Sequence, residues 1–351
     1  MKKLFEPVAL GRLQLANRVV MAPMTRSRAG DDDCVTGLHV EYYRQRAGAG
    51  LVISEGTHPS RDGKGYCRTP GIYNDAQVAA WRQVVDAVHA AGGAMVLQVM
   101  HCGRVAHPDN KAADAETVAP SAIAAGAEMF TEGGMKAMVT PRALATEEIP
   151  GVVEEYRRAT ENAYAAGFDG VELHCTSGYL PAQFLSTGTN RREDRYGGSL
   201  DNRLRFVVEV LEAMCSVDGA DRVGLRICPG NPFNDLHDDN PEETFAALLD
   251  RIDGMGLAYL HVIRMPRGPV DNLALARAHF SGPLIVNDSY SAEEADAVIA
   301  AGEAAAVSFG RHFIANPDLV GRLKQGLPLA EMDTSTLYTP GEKGFTDYPL
   351  A

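Results

Sequence analysis

Short apolar segments recur along the chain, and longer amphipathic segments separate them. The apolar segments have the continuous hydrophobic character of strands that are buried on both faces of a parallel sheet. They predict eight strands, at residues 19–21, 51–54, 95–99, 171–173, 223–227, 259–263, 284–286 and 305–309. The segments between them have the period of helices with one apolar face. They predict helices at residues 75–91, 151–166, 201–215, 241–255, 291–301 and 317–325.

Eight strands that alternate with helices over short connections predict a closed (β/α)8 barrel, the TIM barrel of the α/β class. Because no linker or charge run divides the chain, we expect a single domain over residues 1–351. One connection, after the third strand, is too long for a turn and is rich in Pro and Gly over residues 102–148. Long loops in compact domains often form lids, so we expect this excursion to cap the barrel mouth.

Composition and charge limit the partners. The 351 residues contain 33 Lys and Arg against 46 Asp and Glu, a net charge of −13, which disfavours binding to nucleic acid or to an anionic membrane. Glu6 and Pro7 interrupt the apolar start that a signal peptide requires, and no apolar segment has the length of a membrane span. The six cysteines form no CxxC pair. We therefore expect a cytoplasmic protein, monomer or homodimer, with reduced thiols and a small-molecule partner.

Polar residues follow the predicted strands, at the end of the barrel where this fold places its active sites. Together with one proline and two glycines at the same ends, they are Pro23, Thr25, Glu55, Gly56, Thr57, Gln98, His101, His174, Ser177, Tyr179, Arg226, Asn287, Asp288, Gly310 and Arg311. The two arginines suit an anionic ligand, and Gln98 suits an amide-like edge. A helix predicted soon after Arg311 suits a phosphate at the last loops of the barrel. The layout is compatible with flavin mononucleotide (FMN), and also with structural ion pairs.

Longer motifs distinguish these alternatives. The chain contains, in this order, LANRVVMAPMTRSRA, GLVISEGT, GKGYCRTPGIYND, LQVMHCGRVAHP, AAGFDGVELHCTSGYLPAQFLS, TNRREDRYGGSLDNRLRF, VSFGRHFIANPDL and GFTDYP. Together these stretches span nearly the whole chain and resemble the old yellow enzyme family of flavin-dependent ene-reductases. The resemblance implies FMN as cofactor, NADPH or NADH as reductant, and an α,β-unsaturated carbonyl or nitro compound as substrate. Hydride would pass from the nicotinamide through flavin N5 to the substrate Cβ, with ping-pong kinetics.

The resemblance also implies roles for individual residues. FMN would be bound by Pro23, Met24, Thr25, Gly56, Gln98, Arg226, Asp288, Ser289, Gly310 and Arg311. His174 would polarise the substrate oxygen and Tyr179 would protonate Cα, with Ser177 as a further catalytic residue. The substrate would contact Tyr66, Met100 and Tyr338. We assign His101 a structural role.

Three residues depart from the family pattern. Ser177 stands where the family has a second donor, Asn or His, and Met100 stands where it usually has Trp, which predicts a wider pocket. The sequence NDSY at residues 287–290 replaces a Gly-containing turn and brings the Asp288 carboxylate to the expected phosphate site. The alternative hypothesis is therefore a flavin-binding barrel with altered or lost ene reduction. A metal-dependent hydrolase is disfavoured because no HxH pair ends a strand, and we expect no metal.

Overall fold

This computed structural model describes residues 2–351 of the chain, which contain fourteen strands and ten α-helices. The strands are β1 (Val8–Leu10), β2 (Leu13–Leu15), β3 (Val19–Met21), β4 (Leu51–Ile53), β5 (Met95–Val99), β6 (Val118–Ala119), β7 (Glu128–Thr131), β8 (Gly134–Ala137), β9 (Arg142–Ala143), β10 (Gly170–Cys175), β11 (Val223–Ile227), β12 (Tyr259–Ile263), β13 (Leu284–Asn287) and β14 (Ala306–Phe309). The helices are α1 (Gly37–Gln45), α2 (Asp75–Ala90), α3 (Ile149–Ala165), α4 (Leu180–Leu185), α5 (Leu200–Asp218), α6 (Pro241–Ile252), α7 (Asn272–His279), α8 (Ala292–Ala300), α9 (Arg311–Ala315) and α10 (Leu319–Gln325).

A closed barrel of parallel strands forms the centre of the fold. Its strand order is β3, β4, β5, β10, β11, β12, β13 and β14, and β14 pairs back to β3. The predicted (β/α)8 architecture is confirmed. The predicted bounds of β3, β5, β11 and β12 match the structure, and those of the other four strands differ by one or two residues at an end.

The main hydrophobic core lies between the barrel and the surrounding helices. Helix α2 shows how the sequence produces it: Asn74 caps the helix by accepting the N–H of Gln77, and the apolar stripe of Trp81, Val84 and Val88 is fully buried. Burying one such aliphatic side chain stabilises the fold by about 1.5–3 kcal/mol. The apolar face of α2 therefore covers the outer surface of the barrel.

A hairpin closes the amino-terminal end of the barrel. Strands β1 and β2 are antiparallel, and Gly11 in the turn between them has a φ of +56°, a conformation that costs glycine little. Leu10, Leu13 and Leu15 pack with Tyr259 and other apolar residues from the starts of the barrel strands. The sequence analysis did not predict this hairpin, because three-residue strands show too little alternation.

The sequence analysis also missed helices α1 and α7, which fill the remaining positions around the barrel. Helix α1 begins with a capping box in which the N3 residue is His39 rather than Glu or Gln, so its start lacks the usual signature. The expected helix near residue 317 is α10, but a shorter helix, α9, precedes it and begins at Arg311 itself. The capping box of Ser291 and Glu294 at the start of α8 is as predicted.

Residues 102–148 form the predicted excursion after the third barrel strand. Within it, β7 and β8 form an antiparallel hairpin, and β6 pairs with β9. Met129 of the hairpin is buried, whereas Phe130 and Met135 are exposed. The hairpin lies at the carboxyl-terminal mouth of the barrel, where its side chains line the cavity described next.

Candidate active site

Two adjoining cavities lie at the carboxyl-terminal ends of the barrel strands, and both are lined by Pro23, Thr25, Arg226 and Tyr338. The central cavity has a volume of about 690 Å³, and the lateral cavity one of about 810 Å³. The predicted site residues that line only the central cavity are Gly56, Tyr66, Gln98, Met100, His174, Ser177 and Tyr179. Those that line only the lateral cavity are Met24, Asp288, Ser289, Gly310 and Arg311. The fold thus brings together every site residue named from the sequence, while their roles stay predictions.

Strand register explains why residues distant in the chain meet here. In the parallel barrel, Gln98 lies opposite Glu172, and Arg226 lies between His174 on one side and His261 on the other. Since side chains alternate between the two faces of a strand, Glu172 and His174 of β10 share the inner face. His174 lies one step closer to the mouth of the barrel than Glu172.

His174 and Tyr179 are two buried donors at the central cavity. Their ring centroids are 4.8 Å apart with an edge-to-face arrangement. Burial and the nearby charge of Arg226 lower the pKa of His174 well below its usual range, so the imidazole is neutral. Burial raises the pKa of Tyr179 well above its usual range, so the phenol keeps its proton. Each side chain can therefore donate one hydrogen bond without carrying a charge.

Tyr66 and Asn234 position the Tyr179 hydroxyl and the segment before it. The Tyr66 hydroxyl lies 3.1 Å from the Tyr179 hydroxyl, and burial raises the pKa of Tyr66 to about 12. Asn234 Nδ2 lies 3.3 Å from the Tyr66 hydroxyl and donates to the Ser177 carbonyl at 2.8 Å. The sequence analysis missed Asn234, although the long polar segment after β11 was a signal for a functional loop.

Met100 and Gly56 form one wall of the central cavity. A Cβ atom at Gly56 would lie only 2.4 Å from Met100 Sδ, so the thioether occupies space that a side chain at position 56 would fill. Met100 is almost fully buried and packs with Met129, Met138 and other residues of the excursion. It therefore both packs in the wall and lines the cavity.

Exposed apolar side chains surround the mouth of the central cavity. Phe130 and Met135 come from the β7–β8 hairpin, Phe233 from the loop after β11, and Tyr338 from the carboxyl-terminal segment. Their exposed fractions are 44%, 57%, 58% and 58%. We call these four residues the apolar rim. Apolar patches of this kind mark places where a ligand or partner binds, and only Tyr338 of the four was named from the sequence.

A strained turn lies at one side of the lateral cavity. Asp288 and Ser289 have φ values of +84° and +55°, which side chains other than glycine rarely adopt. Arg264 stabilises the turn, because its guanidinium donates to the carbonyls of Asp288 and Ser289 at 2.7 and 2.6 Å. The same guanidinium lies 3.6 Å from the ring centroid of Tyr290. The sequence analysis did not name Arg264.

Arg311, the first residue of α9, faces this turn. Its Nη2 atom lies 3.3 Å from Asp288 Oδ1 and 3.2 Å from Ser289 Oγ. The Asp288 carboxylate therefore points toward the arginine that was expected to hold a phosphate. Both side chains are partly exposed, so an anionic ligand in the lateral cavity can reach Arg311.

The donors present here fit the chemical groups of FMN. Buried Arg226 has a partnerless Nε atom, and its Nη2 donates to Asn287 Oδ1 at 2.8 Å, so it can hold a partly negative ring edge. Arg311 offers a charge for the phosphate, and Gly310 presents its main chain to the same lateral cavity. Gln98 offers an amide at the floor of the central cavity.

Comparisons with known proteins identify the family of the chain. The model of the NADH:flavin oxidoreductase / NADH oxidase family matches residues 3–330. A probable flavin mononucleotide-dependent alkene reductase of Leishmania infantum is 41% identical, over 99% of this chain and 97% of its own. A solved morphinone reductase in complex with tetrahydroNAD is 48% identical, covers 100% of this chain and 98% of its own, and has a TM-score of 0.95. The old yellow enzyme homologue of Zymomonas mobilis is 39% identical with the same TM-score, over 99% of this chain and 100% of its own.

Two further features concern membranes and metals. Among residues 2–351, no helix combines the length and the apolar character needed to cross a membrane. The same residues contain no group of three or more His, Cys, Asp or Glu side chains placed to hold a metal ion.

Proposed function

Because the chain belongs to the NADH:flavin oxidoreductase / NADH oxidase family, we propose that it is an FMN-dependent ene-reductase that uses NADPH or NADH to reduce activated alkenes. The observation that carries the proposal is the buried pair of neutral donors, His174 and Tyr179, beside Arg226 and Gln98 in one cavity. We propose one FMN-binding barrel domain over residues 1–351.

The chain's own residues divide into two groups around the cofactor. Gln98, Arg226 and Thr25 would hold the ring system in the central cavity, with Gly56 and Pro23 allowing close approach. Arg311, Ser289 and the amide of Gly310 would hold the phosphate in the lateral cavity, beside Asp288 and Met24. When bound, FMN supplies the chemistry of accepting hydride from a nicotinamide and delivering it to the Cβ of an alkene.

His174 and Tyr179 would act on the substrate. The neutral imidazole of His174 donates a hydrogen bond to the carbonyl or nitro oxygen, where negative charge grows during reduction. Tyr179 holds its proton on the phenolic oxygen and gives it to Cα as a general acid. Tyr66 orients that hydroxyl through the 3.1 Å contact. Ser177 lies beside the pair, where its short side chain would reach the substrate oxygen through a water.

The apolar rim and Met100 would bind the carbon skeleton of the substrate. Met129, Met138 and the rim residues Phe130 and Met135 make the excursion side of the cavity apolar and adaptable, since methionine side chains adjust to different shapes. Closing apolar groups around the reacting atoms also excludes water from the donors. We therefore propose alkenes that carry an apolar ring system as the preferred substrates.

The purified protein tests the proposal in two steps. Its absorbance in the flavin bands, with FMN quantified after release, should give about one FMN per chain after reconstitution. Anaerobic addition of NADPH should then bleach these bands, and cyclohexenone should restore them with formation of cyclohexanone. A colourless protein that cannot be reconstituted would contradict the proposed cofactor site.

The same experiment distinguishes the proposed ene-reductase from a second candidate function, a flavin-binding barrel with altered or lost ene reduction. The observation that favours it is the Asp288–Arg311 contact in the expected phosphate site, together with Ser177 and Met100 in the substrate cavity. Fast bleaching by NADPH without restoration by cyclohexenone or by a nitroalkene would support this candidate and exclude general ene reduction.

A further inference from the structure

A chain of hydrogen bonds crosses the barrel interior directly beneath the central cavity. Gln98 Nε2 donates to Glu172 Oε1 at 2.7 Å, Glu172 Oε2 lies 2.8 Å from His261 Nδ1, and His261 Nε2 lies 2.8 Å from Ser308 Oγ. The four residues come from β5, β10, β12 and β14, and all are buried. We call them the Glu172 network. The sequence analysis did not name Glu172 or His261, although each interrupts an apolar strand.

Glu172 lies between an apolar plug and the floor of the cavity. Beneath it, Tyr259 packs with apolar residues of the barrel and the amino-terminal hairpin. Gly224, opposite Glu172 in β11, has no room for a side chain, because its Cβ would lie 2.3 Å from the Tyr259 ring. Above it, Gln98 and Arg226 line the central cavity. Burying a carboxylate at this depth carries a large desolvation cost, which the surrounding donors must offset.

The carboxylate determines how its neighbours are oriented. An ionised carboxylate only accepts hydrogen bonds, so the Gln98 amide must turn its nitrogen toward Glu172. Its carbonyl oxygen and second N–H are then free for a ligand in the cavity. By the same rule, His261 carries its proton on Nδ1, and its Nε2 accepts the hydroxyl proton of Ser308.

Charge couples Glu172 to Arg226 as well. Although burial favours the protonated acid, the hydrogen bonds from His261 and Gln98 and the charge of Arg226 lower the pKa of Glu172. Burial lowers the pKa of His261. The charge of Glu172 raises this pKa and the charge of Arg226 lowers it, and the net shift is downward, so the imidazole is neutral. The ionised forms at the floor are therefore Glu172 and Arg226, which offset each other.

We propose that Glu172 is a positioning residue that sets the hydrogen-bonding direction of Gln98 and offsets the charge of Arg226, and thereby lowers the reduction potential of the bound flavin. This inference rests on the FMN site of the proposed function and is independent of the alkene substrate. Reduction adds negative charge to the ring system, and a carboxylate buried beneath it disfavours that charge. A neutral group in its place favours the reduced cofactor.

The Glu172→Gln variant tests this proposal in the FMN-loaded protein. A glutamine can keep the same contacts, because its oxygen accepts from Gln98, its nitrogen donates to His261 Nδ1, and His261 then donates from Nε2 to Ser308. The expected result is a ratio of reduced to oxidised flavin, at a fixed poised potential, that is about tenfold higher than in the wild type. Tenfold corresponds to an upward shift of about 30 mV for a two-electron couple. The readout is spectroelectrochemical titration, which needs no alkene.

Ser308→Ala is the matched control, since it removes one hydrogen bond of the network without changing the charge of Glu172. Its potential should equal that of the wild type, even where its melting temperature falls. A second variant, His261→Leu, removes the N–H donor that keeps Glu172 ionised, so the potential should rise in the same direction. Wild-type potentials in both Glu172→Gln and His261→Leu would overturn the proposal and leave the network a structural role. Cyclohexenone turnover is measured separately, so loss of ene reduction does not affect this result.

Discussion

The Asp288 carboxylate lies 3.3 Å from the guanidinium of Arg311, within the cavity that fits a phosphate. The Asp288 and Arg311 side chains are 42% and 66% exposed, so their attraction is weak, on the order of 1 kcal/mol or less. A phosphate can therefore displace the carboxylate, but it must then lie beside a like charge. Asp288 also adopts a φ of +84°, which suits glycine better than aspartate.

Asp288→Gly should therefore bind FMN more tightly, by roughly three- to tenfold, the equivalent of about 1 kcal/mol. Fluorescence titration of the apoprotein measures this affinity. Riboflavin, which lacks the phosphate, should bind both proteins equally. Ser289→Gly is the matched control, because it relieves a positive φ in the same turn without removing a charge. Equal gains in the two variants would show that backbone strain, rather than charge, limits the affinity.

Tyr179→Phe should slow the step in which cyclohexenone reoxidises the enzyme by at least about 100-fold, because the proton donor to Cα is lost. Reduction by NADPH should keep its wild-type rate, since that step needs no proton from Tyr179. Anaerobic stopped-flow absorbance measures both rates. Tyr66→Phe, which removes the partner 3.1 Å away but keeps the donor, should have a much smaller effect. Equal losses in both variants would contradict the assignment of Tyr179 as the acid.

Ser177→Asn should tighten the binding of phenols, which probe hydrogen-bond donors in the substrate cavity. Ser177 has a φ of +59°, a conformation that asparagine tolerates well, and the longer amide can reach an oxygen that His174 also contacts. One added hydrogen bond predicts a dissociation constant lower by roughly tenfold. Absorbance titration of the FMN-loaded protein measures it. An affinity equal to that of Ser177→Ala would show that position 177 does not contact the phenol oxygen.

Met100→Trp should narrow the central cavity, because Met100 lines it and is almost fully buried against Gly56. We expect kcat/KM for enones with bulky ring substituents to fall by about tenfold or more, a loss of about 1.4 kcal/mol, with little change for cyclohexenone. Met100→Leu conserves volume and serves as the control. Unchanged selectivity between large and small enones would contradict a steric role for this position.

The lowered pKa of His101 predicts how the stability of the fold depends on pH. Burial lowers the pKa of His101 from 6.5 to about 3. Between these two pH values the histidine is protonated in the unfolded chain and neutral in the folded protein. The stabilising contribution of neutral His101 is therefore fully present above pH 6.5, and the free energy of unfolding falls as the pH decreases below 6.5. From pH 7 to pH 5 this one residue costs about 2 kcal/mol.

Urea unfolding of the wild type and His101→Gln at both pH values measures this contribution. The variant should lose about 2 kcal/mol less than the wild type between pH 7 and pH 5. The other buried histidines whose pKa values are lowered act in the same direction in both proteins. Parallel losses in wild type and variant would show that His101 is not the group responsible.

The barrel could be predicted because its signals are local. A strand buried on both faces must be continuously apolar wherever it lies in the chain, and a helix start such as Ser291 with Glu294 needs only four residues to show itself. For the same reason the cavity residues could be named, since the ends of parallel strands meet at one edge. His174, Arg226 and Asp288 were therefore placed at the mouth of the barrel from sequence alone.

Only the tertiary structure decided which side chains face one another. Glu172 and His261 lie 89 positions apart, and nothing local to either predicts that barrel closure joins them in one buried network. Phe130, Met135 and Phe233 form the rim because an excursion and a separate loop fold over the same opening. Likewise, Arg264 and Arg311 flank the Asp288 turn only after β12, β13 and β14 pair. The sequence determined the strands, the caps and the chemistry available, whereas long-range pairing decided the partner, and thus the charge and orientation, of each group.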